Sequence, residues 1–237
     1  MQNPYLSRVD IEQIAKPIIE KYMHACVPEH HMCYRIDPTE LASFLGFHIE
    51  YLQLTQDGSI LGQTAVVPLW TTVIDPDVGE TFCFLDGKTI LIEKRLHDNL
   101  QLVGRKNFTI AHELAHQIIN RKYSGMYDTQ HGALCDYRRT VDNKKNVSNW
   151  HEWQADALAA ALLLPPDALD KAMFLFGLGS KMKVLSRKFS RNNYDSFCGM
   201  ADFFQVSKTT LAYRMEQLGL LERNYLIKEA QQRQGGI

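Results

Sequence analysis

The chain lacks the features that mark several large classes of protein. Its five cysteines are an odd number at irregular spacings and include no C-x-x-C pair, which favours reduced thiols over a disulfide framework. The opening residues show no basic segment followed by an apolar one, so we expect no signal peptide. The longest apolar run, 157–164, is far too short to span a membrane. We therefore expect a cytoplasmic protein with no membrane association.

An excess of charge of either sign is also missing. Lysine and arginine total 26 against 27 aspartates and glutamates, for a formal net charge of −1. A general nucleic-acid binder usually carries a strongly basic domain or stripe, so this balance gives that function no support. With 237 residues, of which 45% are hydrophobic, the chain can bury a core without metal or disulfide staples. Any bound metal is therefore expected to be catalytic.

The apolar pattern of the first half predicts helices followed by a small sheet. Helical spacing predicts an opening helix over 9–25, within which Pro17 is expected to cause a kink or a break. A second, short helix is predicted over 37–45. Short β-rich runs between 47 and 94 predict a small, mostly antiparallel sheet, with a hairpin turn at Asp86-Gly87 between its last two strands.

The second half is predicted to be mainly helical. Helices are expected over 107–121 and over 149–164, the latter capped by Ser148. The polar stretch between them, 122–147, predicts a long loop or lid. A final helical block is predicted over 193–226. The fold class that this order predicts is α+β.

The sequence His112-Glu113-Leu114-Ala115-His116 is an H-E-x-x-H motif on a strongly helical stretch. Four residues are slightly more than one helical turn, so both imidazoles project from one face and can bind one metal ion. Glu113 lies beside that face, where it can take a proton from a bound water. The motif alone is also compatible with a helix that carries two solvated histidines.

A second helix offers what such a metal site still needs. Catalytic zinc takes three protein ligands and keeps one position open, so a third ligand is required. Glu152 can complete the set, and Asp156, four residues later on the same face, can accept the free ring N–H of one histidine. The opposing interpretation is an ordinary polar stripe on an amphipathic helix.

These two helices carry a family resemblance. The segment NFTIAHELAHQII, followed by HEWQADALAAALLLPP, resembles the ImmA/IrrE family of metallopeptidases, in which a helix with F-[ST]-x-A-H-E-x-x-H precedes one with E-x-x-A-[ND]-x-F-A-x-x-L-L-x-P. The chain departs from the pattern at Leu158, where the family has an aromatic residue. The segment between His116 and Glu152 is also longer than expected.

The resemblance implies a gluzincin-like, zinc-dependent endopeptidase with one metal ion. His112, His116 and Glu152 would be the metal ligands, Glu113 the catalytic base, and Asp156 the partner of a ligand histidine. Manganese or iron could occupy the same ligands. Side chains that could stabilise the oxyanion lie mainly between the two helices, and spacing does not choose among them: Tyr123, Tyr127, His131, Tyr137 and His151.

The same resemblance implies a domain organisation and a partner. A zincin-like metallopeptidase domain would occupy 1–178, and a helical segment resembling a helix-turn-helix would occupy 179–237. The substrate would be a specific protein, a helix-turn-helix transcriptional repressor often encoded nearby on a mobile element, whose cleavage releases transcription. Two alternatives stay open: a catalytically silent metal-binding regulator that acts on DNA or protein through its C-terminal segment, and a metal-dependent hydrolase of small amides.

Three further patterns are given less weight. Residues 200–214 read like a helix-turn-helix whose second helix could enter a DNA groove, although packing or protein docking is the favoured interpretation. Cys135 could act as a nucleophile with His131 or His151 as its base, but an inert thiol is preferred. A cluster of histidines and cysteines within 24–33 matches no structural zinc pattern, and a solvated loop is expected there.

Overall fold

A computed structural model of the chain describes residues 5–26, 34–123, 134–138 and 150–226. The contacts divide the chain into two compact units. The first unit draws on residues 1–26 and 37–163, and the second on 27–36 and 164–237. The predicted division into domains at residue 178 stays a prediction. In the residues described, no helix is long and apolar enough to cross a membrane.

Two helices open the first unit as the sequence predicts. Helix α1 spans Arg8–Cys26 and buries one apolar stripe, and Pro17 lies inside it without breaking it. Of the two expected outcomes the break is wrong, and the kink stays a prediction. Helix α2 spans Pro38–Phe44 and begins at Asp37, whose carboxylate accepts hydrogen bonds from the backbone amides of Thr39 and Glu40.

Four strands form the main sheet of the first unit, in the order β1, β5, β2 and β6. Their bounds are His48–Leu52 for β1, Ile60–Ala65 for β2, Thr89–Glu93 for β5 and Leu134–Arg138 for β6. Strand β2 pairs antiparallel with both β5 and β6, while β1 pairs parallel with β5. Strand β6 corrects the prediction of an irregular loop throughout 122–147, because it adds an edge to the sheet.

A separate hairpin corrects the predicted pairing at Asp86-Gly87. Strand β3, Leu69–Asp75, pairs antiparallel with β4, Gly79–Leu85, while β5 belongs to the other sheet. The turn itself is present, since Gly87 has φ +81° and Asp86 accepts the amides that follow it. The sequence thus predicted the turn correctly and the partner strand wrongly.

The remaining helices of the first unit carry the two motifs. A short helix α3, Lys94–Asp98, and a 3₁₀ turn lead into α4, Val103–Lys122. Helix α5 spans Trp150–Leu163 and packs against α4. Both helices were predicted, but α4 begins four residues earlier than expected. Ser148, the predicted cap of α5, lies outside the described residues.

The two faces of β2 separate α4 from the β3–β4 hairpin. Thr64 on one face accepts a hydrogen bond from Gln117 of α4 at 2.7 Å. Gln63, on the other face, accepts a hydrogen bond from Thr71 of β3 at 3.4 Å. Val73 and Leu85 of the hairpin are part of the apolar core on the Gln63 side of the sheet. The alternation of side chains along a strand therefore places the hairpin and α4 on opposite sides of the sheet.

The second unit combines short helices with a small parallel sheet. Its elements are α6 Pro166–Leu175, β7 Met182–Leu185, α7 Arg191–Phe204, α8 Lys208–Gln217 and β8 Leu221–Asn224. Strands β7 and β8 pair in parallel. The prediction of a helical block through residue 226 is wrong at its end, because pairing with β7 holds 221–224 as a strand.

Helices α7 and α8 follow one another across a tight turn. Gln205 ends α7 with φ 51°, and the Ser207 side chain caps α8 by accepting the amide of Thr210. Arg214, one of the side chains expected on a DNA-reading surface, is instead 2% exposed and donates a hydrogen bond to the carbonyl of Leu164. The helix-turn-helix interpretation stays a prediction, without Arg214 as a contact.

Candidate metal centre

Helix α4 presents two adjacent stripes of polar side chains, each spaced by four residues. His112 and His116 form one stripe, and Thr109, Glu113 and Gln117 form the other. All five are buried, and His112 and Glu113 have no exposed surface. Polar groups are buried to this extent only where partners or ligands balance their desolvation. Each stripe must therefore face groups that offset this cost.

The histidine stripe faces α5. Nε2 of His112 lies 3.1 Å from Oε2 of Glu152, and Nε2 of His116 lies 3.3 Å from Oε1 of the same carboxylate. The two Nε2 atoms lie 3.0 Å apart. Nδ1 of His112 lies 2.9 Å from Oδ1 of Asp156, one turn further along α5. The structure therefore brings together four of the predicted site residues.

This arrangement fits a metal ion. The donor atoms of His112, His116 and Glu152 all lie within 4.8 Å of one another. A tetrahedral ion with bonds of about 2.0–2.2 Å separates its ligand atoms by roughly 3.3–3.6 Å, slightly more than the spacing of 3.0–3.3 Å found here. Asp156 on Nδ1 leaves Nε2 of His112 directed at the other two ligands, as a supporting carboxylate does in metal sites.

The electrostatics of the residues alone favour a cation between them. Burial opposes protonation of His112, but hydrogen bonds to Asp156 and Glu152 outweigh it and raise its pKa to about 10. Burial raises the pKa of Glu152, but its bonds to the two histidines dominate and lower it well below the usual range. Burial lowers the pKa of His116. The carboxylates thus attract positive charge to the ring nitrogens.

The second stripe of α4 faces β2. A Cβ atom added at Gly62 would lie 2.8 Å from Oε1 of Glu113 and 2.7 Å from Cγ2 of Thr109, closer than ordinary contacts allow. Only a glycine lets the strand approach the helix so closely at this point. Gly62 was not identified from the sequence, although a glycine inside a strand is a recognised sign of close backbone approach.

Glu113 is enclosed without a hydrogen-bond partner of ordinary geometry. Both carboxylate oxygens are buried, and neither makes a hydrogen bond of ordinary geometry to a residue that the structure describes. Burial raises the pKa of Glu113 well above its usual value. The charge of His112 and the backbone amide of Tyr137 oppose this shift, and the charges of Glu152 and Asp136 add to it. A buried carboxylate of raised pKa beside the His112 imidazole is suited to exchange a proton.

Strand β6 brings one aromatic side chain onto the site. The ring of Tyr137 lies 4.2 Å from that of His112, and burial raises the pKa of its hydroxyl. Of the other oxyanion candidates, Tyr123 ends α4 and His151 precedes Glu152 on α5. Tyr127 and His131 lie outside the described residues. Tyr137 is thus the aromatic candidate that the structure brings against a ligand histidine.

The patterns that received less weight do not compete with this site. Cys135 is buried, and burial raises the pKa of its thiol well above the usual range, which disfavours the nucleophilic thiolate. Most of the histidine and cysteine cluster within 24–33 lies outside the described residues. Leu158, the departure from the family motif, is fully buried and serves packing.

Two helices that carry a histidine pair, an adjacent buried glutamate and a third carboxylate define a candidate metallopeptidase centre. The chain also matches a family model. Residues 74–216, more than half of the chain, match the Peptidase_M78 family, described as the IrrE N-terminal-like domain. The chain belongs to this ImmA/IrrE family, and membership implies a metallopeptidase. No curated protein sequence matches the chain at a significant level.

Proposed function

We propose that the chain is a zinc-dependent endopeptidase of zincin-like fold that cleaves a specific protein partner. In this proposal His112, His116 and Glu152 bind the metal, Glu113 is the general base, and Asp156 orients His112. Family membership and the convergence of the donor atoms support a metal-dependent peptidase. The two imidazoles and the H-E-x-x-H motif are the grounds for choosing zinc over manganese or iron in this proposal, since those ions more often take additional oxygen ligands.

The observation that carries the proposal is the environment of Glu113. A purely structural metal site has no use for a carboxylate that is buried beside its ligands and makes no hydrogen bond of ordinary geometry to a described residue. Such a group is costly to bury, so a function in the reaction accounts for it better than a role in folding. This argues against the catalytically silent regulator, which stands as the alternative.

The residues suggest a division of labour during hydrolysis. A bound zinc ion would lower the pKa of a coordinated water towards about 7 and polarise the scissile carbonyl. Glu113 would accept a proton from the attacking water and later deliver it to the leaving amine nitrogen. Tyr137, which lies on His112, is the described side chain best placed to donate a hydrogen bond to the oxyanion.

The position of β6 favours a peptide over a small amide as the substrate. Among the described strands β6 is an edge of the sheet, and its residue Tyr137 reaches the ligand His112. An edge strand offers backbone groups with which an extended peptide can pair. A small amide would gain nothing from this edge. By the family resemblance the protein substrate would be a helix-turn-helix repressor in the cytoplasm, and its cleavage would release transcription.

The alternative regulator would act through the second unit. The tight turn between α7 and α8 is the observation that favours it, because two helices joined in this way can form a helix-turn-helix. The burial of Arg214 removes one of its expected basic contacts. We therefore propose that the C-terminal segment, 179–237, is a separate domain that resembles a helix-turn-helix. Its proposed role is to dock a protein and not to read DNA.

A pair of isosteric proteins tests the proposed function. Wild type and Glu113→Gln are each assayed for bound metal and for cleavage of the repressor encoded nearest the gene. We expect about one zinc ion in both and cleavage by the wild type alone. A wild type that binds no metal when zinc is supplied would refute the proposed site. Equal cleavage by both proteins would remove Glu113 from the mechanism.

A further inference from the structure

The β3–β4 hairpin turns three aromatic side chains to solvent. Trp70, Phe82 and Phe84, which we name the aromatic face, are 66%, 71% and 49% exposed. Trp70 lies directly opposite Phe84, with ring centroids 5.2 Å apart. The other side of the same hairpin is occupied, since Val73 and Leu85 are buried in the core. Exposed aromatic residues grouped in this way mark an interaction surface.

The charged residues of the hairpin and its flanks are all acidic. From residue 60 to residue 87 the chain has no lysine, arginine or histidine. The acidic residues of this range lie at the end of β3, in the turns or on the outer side of β4: Asp75, Asp77, Asp86 and Glu80. A chain that is nearly neutral as a whole therefore carries only negative charge in this stretch, and Glu80 shares the outer side of β4 with Phe82 and Phe84. We call these four carboxylates the acidic rim.

This chemistry excludes several occupants. Nucleic acid and anionic lipid would be repelled by the acidic rim. A second copy of the chain, docked symmetrically, would place the same acidic rim against itself, because a two-fold interface pairs identical surfaces. A basic partner gains from both features, since aromatic rings attract cationic side chains and the rim attracts them at longer range.

The inner side of the hairpin is connected to the site. Oγ1 of Thr71 donates to Oε1 of Gln63 at 3.4 Å, and Nε2 of Gln63 donates to Oδ1 of Asp136 at 2.9 Å. Asp136 precedes Tyr137, the residue that lies on His112. The hairpin is thus fixed to the edge strand β6 while its aromatic face points away from α4.

We propose that the aromatic face is an exosite that docks a basic, amphipathic segment of the protein substrate, remote from the bond to be cleaved. Its three rings bind the apolar stripe of that segment, and the acidic rim binds its lysines and arginines. The identity of the bound protein as the substrate rests on the proposed peptidase function, whereas the docking chemistry does not.

Peptide binding tests the docking directly. Full-length Glu113→Gln is titrated into a fluorescein-labelled, 18-residue helical peptide with a leucine stripe and lysines elsewhere, and anisotropy is measured. A peptide with the same stripe and glutamates in place of lysines is the counterpart. We expect the lysine peptide to bind at least about 10-fold more tightly, with an affinity that falls as salt is raised.

Two sets of variants locate the binding. Replacing Trp70, Phe82 and Phe84 together by serine should weaken binding of the lysine peptide by about 10-fold or more, because buried aromatic anchors dominate interface energetics. Asp77→Asn with Glu80→Gln should weaken it less and flatten its salt dependence. This pair spares Asp75, whose carboxylate accepts the backbone amides of the turn. Phe174→Ser is the control, because it removes an exposed ring (77%) that does not belong to the aromatic face.

The outcomes separate docking from catalysis. Unchanged binding by both variant sets, or equal binding of the lysine and glutamate peptides, would overturn the proposal. So would a dimer in sedimentation equilibrium that the triple serine variant dissociates, since the aromatic face would then serve a second copy. The charge variants preserve every apolar contact, so they decide the question if the serine variant fails to fold. When the same hairpin variants are made in the wild-type protein, they should raise KM for the repressor and leave kcat unchanged. If the peptidase proposal is wrong, no protein will cleave the repressor, but the lysine peptide should still bind.

Discussion

Replacing Gly62 by alanine should disable the proposed base while sparing the proposed ligands. The added Cβ would lie 2.8 Å from Oε1 of Glu113, whereas ordinary contacts begin at 3.4 Å, so the carboxylate or the strand must move by about 0.6 Å. Misplacement of a reacting group by 1 Å can cost about 100-fold in rate, which scales to a loss of roughly 10- to 20-fold in kcat/KM here. His112 and His116 face α5, away from β2, and should keep their metal.

Stability has to be separated from activity in this experiment. Overpacking at Gly62 should cost about 1–3 kcal/mol in the free energy of unfolding. Gly46→Ala is the matched control, because Gly46 has φ +79° with no atom within 4 Å of its would-be Cβ, so alanine there is strained without touching the site. Urea denaturation should show comparable losses for the two variants, and repressor cleavage should fall for Gly62→Ala alone.

A double variant distinguishes the two contacts of the added methyl group. Thr109→Ser removes the Cγ2 atom that would lie 2.7 Å away, so Gly62→Ala with Thr109→Ser should recover stability. It should not recover kcat/KM, because the contact with Glu113 remains. Wild-type kcat/KM and metal content in Gly62→Ala would refute the idea that this close approach positions Glu113.

Three other predictions concern the metal and the buried thiol. Asp156→Asn should weaken metal affinity by about 10- to 100-fold in a chelator competition, because Nδ1 of His112 loses its carboxylate at 2.9 Å; undiminished affinity would remove Asp156 from the site. Zinc at about 100 times its dissociation constant should add about 2.7 kcal/mol to the free energy of unfolding. Calorimetry should then show a Tm that falls when a chelator removes the metal. A Tm that a chelator does not change would contradict metal binding to the native state. Iodoacetamide should modify the exposed Cys26 and spare the buried Cys135, because the raised pKa of Cys135 suppresses its thiolate. The Cys135→Ser variant should cleave the repressor normally. Loss of cleavage in this variant would support Cys135 as a nucleophile.

The sequence could indicate the proposed ligand residues because their arrangement is local. His112 and His116 share a face through helical spacing alone, and Glu152 and Asp156 repeat that spacing on the next long helix. Helices α4 and α5 are long, and most of the residues in each are buried, so both are elements that a sequence pattern can identify. No local pattern connects the two helices. The connection came from the requirement that a catalytic zinc ion has three protein ligands.

The elements that were missed depend on contacts between distant parts of the chain. Strand β6 is short and polar, and it is extended because β2 offers it a partner about 70 residues earlier, as in the pairing of Gln63 with Asp136. The turn at Asp86-Gly87 was correct, yet the choice of strand partner was not, because that choice depends on which faces are buried. Gly62 has meaning only beside Thr109 and Glu113, which follow it by more than forty residues.

The two stripes of α4 make the ligand set and the base separable. The ligands of the first stripe need α5, and Glu113 of the second needs β2 with a glycine at position 62. A regulator that only bound metal would require the first arrangement alone. A peptidase requires both, since its base must be held at a fixed distance from the attacking water. Reduced cleavage with retained metal in Gly62→Ala would therefore show that metal binding and catalysis depend on different faces of α4.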